Sequence, residues 1–258
     1  MADRSSLEKP MCWGWMEELL FDEWRDLANS GGRPNKAAAG IIFEDQVVTG
    51  ADGAHLRGYR AFSASVTAPD EQPAVLVAPG NAMLADQLYT VVAFFADRGR
   101  TSYVFDYRGY GDSDGSPYST AIIEDYKRLL AFIRNVGHPR IAVYAMSFGG
   151  IVTLAALDDD AIRIDALVLD GVPSELPWIA MCPESLDPIN NIGAAPEPTL
   201  VLSGSADPIV TPEQSSELRA AALKRHMQVQ VLPGFSHPGL DESPRAEERL
   251  DIVFRFLN

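Results

Sequence analysis

The segment Ile-Ala-Val-Tyr-Ala-Met-Ser-Phe-Gly-Gly at 141–150 holds a serine in a setting that suits covalent catalysis. Its apolar start predicts a buried strand before Ser147, and the apolar run after it predicts a buried helix. A turn this tight needs small residues two positions before and after the serine, and Ala145 and Gly149 supply them. Such a turn exposes the hydroxyl and points the N–H of Phe148 at a developing oxyanion. The alternative is a serine that only caps the helix.

A serine hydroxyl is a weak nucleophile near neutral pH, so it needs a base, here a histidine held by a carboxylate. Asp207 and His237 each follow a short apolar run that predicts a strand. At the carboxyl ends of parallel strands, both would lie on the same edge of the sheet as Ser147. Asp170, which ends an earlier predicted strand, is the rival carboxylate. The other three of the four histidines fall on the predicted hairpin or at the far end of the sheet: His55, His138 and His226.

The elements that must position these residues alternate between strand and helix from about residue 74 onward. That order predicts a parallel sheet with helices on both faces. The predicted strands, of which the first two form an antiparallel hairpin, are 41–48, 55–63, 74–78, 102–105, 140–145, 166–169, 199–202 and 228–232. The predicted helices are 83–97, 118–136, 212–225 and 247–257, together with the helix after Ser147.

Three motifs together resemble the α/β-hydrolase superfamily. The serine turn resembles its Gly-x-Ser-x-Gly elbow, with Ala145 in place of the first glycine. Pro79-Gly80-Asn81-Ala82 resembles the His-Gly-Asn-Ala form of its oxyanion loop, with Pro79 in place of the histidine. Asp-Tyr-Arg-Gly-Tyr-Gly-Asp-Ser at 106–113 resembles its Asp-x-Arg-Gly-x-Gly-x-Ser segment, for which we expect a structural role with Arg108 paired to a carboxylate.

The resemblance implies an α/β-hydrolase fold: a mostly parallel, eight-stranded sheet with an antiparallel N-terminal hairpin, helices on both faces and a short cap. We expect a hydrolase domain over 37–258, a cap over 172–198 and a helical appendage over 1–36. The superfamily's chain order of nucleophile, acid and base implies Ser147, Asp207 and His237. The backbone N–H groups of Asn81 and Phe148 would form the oxyanion hole.

The expected substrate is a small molecule, because a short apolar cap favours an open acyl pocket. The expected lining residues are Met146, Trp178, Ile179 and Met181. The resemblance to small esterases and thioesterases implies hydrolysis of a carboxylic ester or thioester through an acyl-enzyme. Peptidase or acyltransferase activity on the same triad is an alternative, and so is a relative of the fold that binds without catalysis.

Composition excludes several other classes of protein. A formal net charge of −15 argues against nucleic-acid partners. No apolar run approaches the roughly 18 residues that span a bilayer. We find no metal-ligand motif and no dinucleotide or phosphate-binding loop, so we expect no metal and no cofactor. Two cysteines, Cys12 and Cys182, are too few for a disulfide framework, and we expect reduced thiols in a cytoplasmic protein.

The N-terminal segment carries more aromatic surface than a solvated tail would. Apolar residues recur at helical spacing in it, and Trp13, Trp15, Phe21 and Trp24 fall within this stretch. Exposed together, they would form a large apolar patch. We therefore expect the segment to be covered, either as a roof over the active site or in a homodimer contact.

Overall fold

The computed structural model describes residues 12, 17–159, 161–176 and 182–258. The strands are β1 (Ile41–Thr49), β2 (His55–Ser63), β3 (Ala74–Ala78), β4 (Thr101–Phe105), β5 (Ile141–Met146), β6 (Ala166–Asp170), β7 (Thr199–Gly204) and β8 (Gln228–Leu232). The α-helices are α1 (Glu17–Ser30), α2 (Tyr89–Asp97), α3 (Ser119–Val136), α4 (Phe148–Leu157), α5 (Pro188–Asn191), α6 (Ser216–Lys224) and α7 (Arg245–Leu257). Short 3₁₀ turns lie at Pro69–Glu71, Ala85–Leu88, Glu184–Leu186 and Ile192–Ala194.

The strands form one eight-stranded sheet in the order β1-β2-β4-β3-β5-β6-β7-β8. Pairing is antiparallel between β1 and β2 and between β2 and β4, and parallel across the rest of the sheet. The register sets Ala78 of β3 opposite Ala145 of β5, and Met146 of β5 opposite Asp170 of β6. The loops that leave these three strands therefore start side by side at one edge. The expected fold, an antiparallel hairpin followed by a parallel sheet, is confirmed.

Two hydrophobic clusters cover the two faces of the sheet. Residues of α1, α3, α4 and α6 pack on one face, and residues of α2 and α7 pack on the other. Every residue of β3, β4, β5 and β6 is buried, since these strands are covered on both sides. This double burial is why their sequences read as unbroken apolar runs.

The first helix, α1, packs on the domain through one face. Phe21 is only 2 % exposed, and with Ala28 it belongs to the same buried cluster as α3 and α4. The opposite face of the helix exposes Leu19 and Leu27. Trp13 and Trp15 lie outside the described residues.

Two helices begin later than their sequence patterns predict. The segment expected as a helix over 83–97 starts with the 3₁₀ turn Ala85–Leu88, and α2 follows it. The N–H of Ala85 donates to the Asp106 carboxylate at 2.7 Å, and the N–H of Leu84 donates to the Gln87 side chain at 3.0 Å. These bonds satisfy N–H groups that have no acceptor within the turn itself. Similarly, α6 begins at Ser216 rather than at residue 212.

The expectation of reduced thiols is wrong, because Cys12 and Cys182 form a disulfide across a sequence separation of 170. The count of cysteines could not reveal this, since the pairing joins two residues that only the tertiary fold brings together. The expected cytoplasmic location loses one of its arguments, because disulfides are rare in that compartment. Among the described residues, no helix has the length and apolar character needed to cross a membrane.

Candidate active site

Ser147 sits at a strained turn between β5 and α4. Its backbone has φ 50° and ψ −117°, a conformation that non-glycine residues rarely adopt, and its N–H donates to the Asp170 carbonyl at 2.8 Å. A Cβ built on Gly149 would lie 2.5 Å from the carbonyl oxygen of Ala78. The turn therefore tolerates no side chain at 149, which is the physical basis of the small-residue pattern around the serine.

His237 and Asp207 form a buried pair on the loops that follow β8 and β7. Nδ1 of His237 lies 2.8 Å from Oδ2 of Asp207. The other carboxylate oxygen accepts the N–H groups of Ile209 and Val210, each at 2.8 Å. Burial by itself would raise the pKa of Asp207, but the hydrogen bonds from His237 and these N–H groups outweigh it and hold the pKa below its ordinary value. An ionised Asp207 fixes the ring of His237 through Nδ1 and leaves Nε2 for another partner.

Gly171 brings the serine and histidine loops together at the end of β6. A Cβ built on Gly171 would lie 3.1 Å from Cε1 of His237 and 2.6 Å from Cδ of Pro238, and the residue has φ 63°. Since Ser147 bonds to Asp170, the residue before this glycine, the nucleophile loop and the histidine loop meet at one strand end. The three residues predicted as a triad thus converge on the same edge of the sheet.

The rival carboxylate, Asp170, is occupied by other partners. Its Oδ1 accepts Nη1 of Arg249 at 2.6 Å, and its Oδ2 accepts the hydroxyl of Tyr144 at 2.8 Å. The side chain is fully buried, and burial raises its pKa even though Arg249 acts in the opposite direction. Among the described residues, the ring of His237 bonds to Asp207, and no hydrogen bond joins it to Asp170.

The loop expected to supply an oxyanion donor passes directly over the serine. A Cβ built on Gly80 would lie 3.7 Å from Cβ of Ser147. The sequence lacks the usual histidine at Pro79, and two other side chains brace the loop instead. The hydroxyl of Tyr107 donates to the Pro79 carbonyl at 2.5 Å, and the N–H of Gly80 donates to the sulfur of Met83 at 3.4 Å.

The 106–113 segment has the structural role expected from its sequence. Arg108 is buried and pairs with Asp125 at 2.7 Å and with Asp52 at 3.0 Å. These contacts join the β4 loop to α3 and to the turn of the N-terminal hairpin. The predicted pairing of Arg108 with a carboxylate is confirmed.

A cavity of about 710 Å³ opens beside Ser147. Asn81 and Phe148, the expected oxyanion residues, lie in its wall. The apolar part of the wall comprises Trp24, Ile151, Pro173, Leu176, Ile209 and Val210. Three glutamates, Glu175, Glu213 and Glu217, complete much of the polar part.

Of the residues expected to bind substrate, only Met146 lies among the described residues, and it is not part of this wall. Met146 is buried in the cluster on the α2 and α7 face of the sheet, whereas Trp178, Ile179 and Met181 lie outside the described residues. Sequence reasoning missed most of the lining residues. The aromatic pattern of α1 did signal Trp24, whose ring lies 6.3 Å from that of Phe148.

The assembled groups suit nucleophilic catalysis by serine. A strained serine, a histidine with a buried carboxylate and helix N-terminal N–H groups are the components of acyl transfer. Within the parts of the chain that the structure describes, no cluster of three His, Cys, Asp or Glu side chains is arranged to hold a metal ion.

Comparison with known proteins agrees with the fold. The model of the α/β-hydrolase-fold family matches residues 73–186. The uncharacterised protein YfhR of Salmonella typhi is 28% identical over 237 residues, covering 83% of this chain and 81% of its own length. An uncharacterised protein of Mycobacterium tuberculosis is 29% identical over 261 residues, covering 95% of this chain and 88% of its own length.

Solved structures share the fold at lower identity. The esterase Pf2001 of Pyrococcus furiosus superposes with a TM-score of 0.67 at 19% identity, covering 87% of this chain and 95% of the esterase. A dienelactone hydrolase, described as putative, of Klebsiella pneumoniae superposes with a TM-score of 0.65 at 14% identity, covering 84% and 98%. At these identities the likeness establishes the fold alone.

Proposed function

We propose that the chain, whose residues 73–186 match the α/β-hydrolase-fold family, is a serine hydrolase that cleaves a carboxylic ester or thioester through an acyl-enzyme. One observation carries the proposal: Ser147 occupies a strained turn beside the buried His237–Asp207 pair, at the mouth of a cavity. A serine that only capped α4 would need neither the pair nor the cavity.

In the proposed mechanism, Nε2 of His237 accepts the proton of the Ser147 hydroxyl as Oγ attacks the acyl carbon. The oxyanion of the tetrahedral intermediate accepts hydrogen bonds from the N–H groups of Phe148 and Asn81. His237 then gives its proton to the departing alcohol or thiol, and the acyl group remains on Ser147. Water, deprotonated by the same histidine, attacks the acyl-enzyme, releases the acid and returns the proton to the serine.

The cavity supports a neutral, largely apolar acyl substrate. Its described wall is more apolar than polar, and the charged residues of that wall are the glutamates Glu175, Glu213 and Glu217. Together with the net charge of −15, these carboxylates disfavour polyanionic substrates. Peptide cleavage and acyl transfer use the same groups, and they differ in the leaving group or in the acceptor that replaces water.

The proposal is tested with a fluorophosphonate probe and a panel of esters and thioesters of increasing acyl length. The probe should form one adduct on Ser147, and Ser147→Ala should lose the adduct and lower kcat by about 10⁴-fold or more. Ser65→Ala, at an exposed serine that does not line the cavity, is the matched control and should keep both signals. An adduct on another residue, or an active Ser147→Ala variant, would overturn the assignment. A folded chain that takes no adduct would instead support a binding protein.

A further inference from the structure

The strongest feature outside the proposed triad is a buried arginine on the last helix. Arg249 of α7 is 3% exposed at its side chain and donates to three separate groups. Nη1 donates to Oδ1 of Asp170 at 2.6 Å, Nη2 donates to the Ser236 carbonyl at 2.6 Å, and Nε donates to Oδ2 of Asp241 at 2.9 Å. Arginine suits this position because its rigid fork presents five N–H donors in one plane.

These contacts hold the peptide next to the proposed base from both sides. The Ser236 carbonyl accepts from Arg249, and the Ser236 N–H donates to Oδ1 of Asp241 at 2.8 Å, while Asp241 itself accepts from Arg249. The residue that follows Ser236 is His237. Arg249 therefore fixes the backbone from which the imidazole projects.

The same arginine reaches the strand end that holds the nucleophile. Asp170 accepts Arg249 through its carboxylate and accepts the N–H of Ser147 through its carbonyl at 2.8 Å. A continuous set of hydrogen bonds thus runs from Ser147 through Asp170 and Arg249 to Ser236. No other described side chain bonds both to Asp170 and to the 233–241 loop.

We propose that Arg249 is a positioning residue that sets the distance between Ser147 and His237 by tying the histidine loop to the end of β6. This inference rests on the proposed function, because it assumes that His237 is the base for Ser147. Arg249 contacts no reacting atom and acts only through Asp170, Ser236 and Asp241. A displacement of about 1 Å between reacting groups lowers rates by about 10²-fold, which is the effect expected when the tie is removed.

The test compares Arg249→Gln and Arg249→Lys, with kcat expressed per active site titrated by the fluorophosphonate probe. We expect kcat to fall by about 10²-fold for Arg249→Gln and by less for Arg249→Lys, with KM within about threefold of the parent. Asp170→Asn combined with Arg249→Gln removes the Asp170 charge together with that of Arg249, and only Asp241 keeps its charge. This double variant should regain thermal stability over the single variant without regaining kcat.

Two controls separate positioning from general loss of structure. Arg245→Met removes a contact from the same helix to the same loop, the 2.6 Å bond to the Gly234 carbonyl, and should leave kcat within about threefold. Arg108→Gln removes another buried arginine with two carboxylate partners. It should lower thermal stability, but its effect on kcat per titrated site should be much smaller than that of Arg249→Gln.

Amide hydrogen exchange gives a readout that does not depend on catalysis. In Arg249→Gln, peptides covering 233–241 should exchange faster, while those of β5 and α4 should stay unchanged. Three results would overturn the positioning role. They are an Arg249→Gln variant with the kcat of the parent, an Arg108→Gln variant whose kcat falls as far as that of Arg249→Gln, and unchanged exchange over 233–241 in Arg249→Gln. Failure of the proposed function gives a different result from failure of the positioning role. If the proposed function is wrong, the parent takes no probe on Ser147, whatever the hydrogen exchange of the 233–241 loop shows.

Discussion

At the residue scale, the proposed site uses the Asp207 carboxylate and not that of Asp170, although Asp170 ends β6 and Asp207 follows the neighbouring β7. Asp207 bonds to His237, whereas Asp170 bonds to Arg249 and Tyr144. We therefore expect Asp207→Asn to lower kcat by about 10⁴-fold, because an amide at this position favours the wrong tautomer of the histidine. Steady-state kinetics with one ester substrate measures the fall in kcat.

Asp170→Asn is the comparison for that prediction. It should lower stability, since it leaves the buried Arg249 without one of its charged partners. Its kcat per titrated site should fall much less than that of Asp207→Asn. If only the Asp170 variant lost activity while remaining folded, the assignment of the acid would be reversed.

A second residue-scale prediction concerns Asp106, whose pKa burial raises to about 6. The folded-state pKa lies above the unfolded value of about 3.9, so the folded state is favoured at low pH and loses this contribution as pH rises through about 6. Asp106→Asn keeps an oxygen for the Ala85 N–H and removes the buried charge. It should raise the free energy of unfolding at pH 8 by at most about 3 kcal/mol and have little effect at pH 4.

Urea unfolding at pH 4 and pH 8 checks this. The exposed Asp97→Asn, on the surface of α2, is the control and should show no comparable difference between the two pH values. Equal effects of Asp106→Asn at both pH values would mean that packing, and not ionisation, decides the result.

The residues that could be predicted from sequence are those whose role follows from their place at a strand end. Ser147, Asp207 and His237 each follow an apolar run, and parallel strands bring such positions to one edge. Arg249 and Tyr107 could not be predicted, because nothing local distinguishes them. Arg249 and Tyr107 donate to the Ser236 and Pro79 carbonyls, and these contacts form only when the tertiary structure packs.

At the scale of elements, α1 links the N-terminal segment to the cavity through Trp24. Its ring lies 5.4 Å from Phe21 and 6.3 Å from Phe148, and it lines the cavity. Trp24→Ala should therefore raise KM and shift the preferred acyl length, because it removes apolar surface from the wall and enlarges the cavity without touching Ser147 or His237. The ester panel measures the shift.

Leu27→Ala on the same helix is the matched control, since Leu27 is 61% exposed and does not line the cavity. It should leave the substrate profile unchanged. The rate of inactivation by a small fluorophosphonate should stay near the parent value in both variants. A Trp24→Ala variant with an unaltered profile would argue for the alternative role of α1 in a dimer contact.

Strands were easier to predict than helix starts or the cap. The strands β3, β5 and β6 are covered on both faces, so their apolar runs are unambiguous. The 3₁₀ turn before α2 is capped by Asp106, which lies twenty-one positions after Ala85, and a local pattern does not contain that partner. The lining of the cavity likewise combines α1, the β6 loop and the β7 loop, which are distant in sequence.

At the scale of the whole molecule, the Cys12–Cys182 disulfide joins the N-terminal segment to the cap region. Because it closes a long loop of the unfolded chain, its loss should lower the free energy of unfolding by about 2–5 kcal/mol. Cys12→Ser and Cys182→Ser should therefore melt lower than the parent under non-reducing conditions. Differential scanning calorimetry measures the shift.

A reductant provides the internal control for that prediction. It should lower the melting temperature of the parent to that of the serine variants and leave the variants themselves unchanged. If the parent and the serine variants have the same melting temperature without reductant, the disulfide does not stabilise the fold. Alkylation of the intact protein with and without reductant reports directly whether the thiols are free.

The disulfide also changes the topology of the covalent chain, since the sequence separation of 170 becomes a closed ring with two tails. If the backbone is cut once inside that ring, the disulfide still joins the two fragments. The connection at 31–40, between α1 and β1, is largely exposed and lies within the ring. New chain ends, or an inserted partner protein, can be placed there while both pieces stay tethered, and only reduction would allow them to separate.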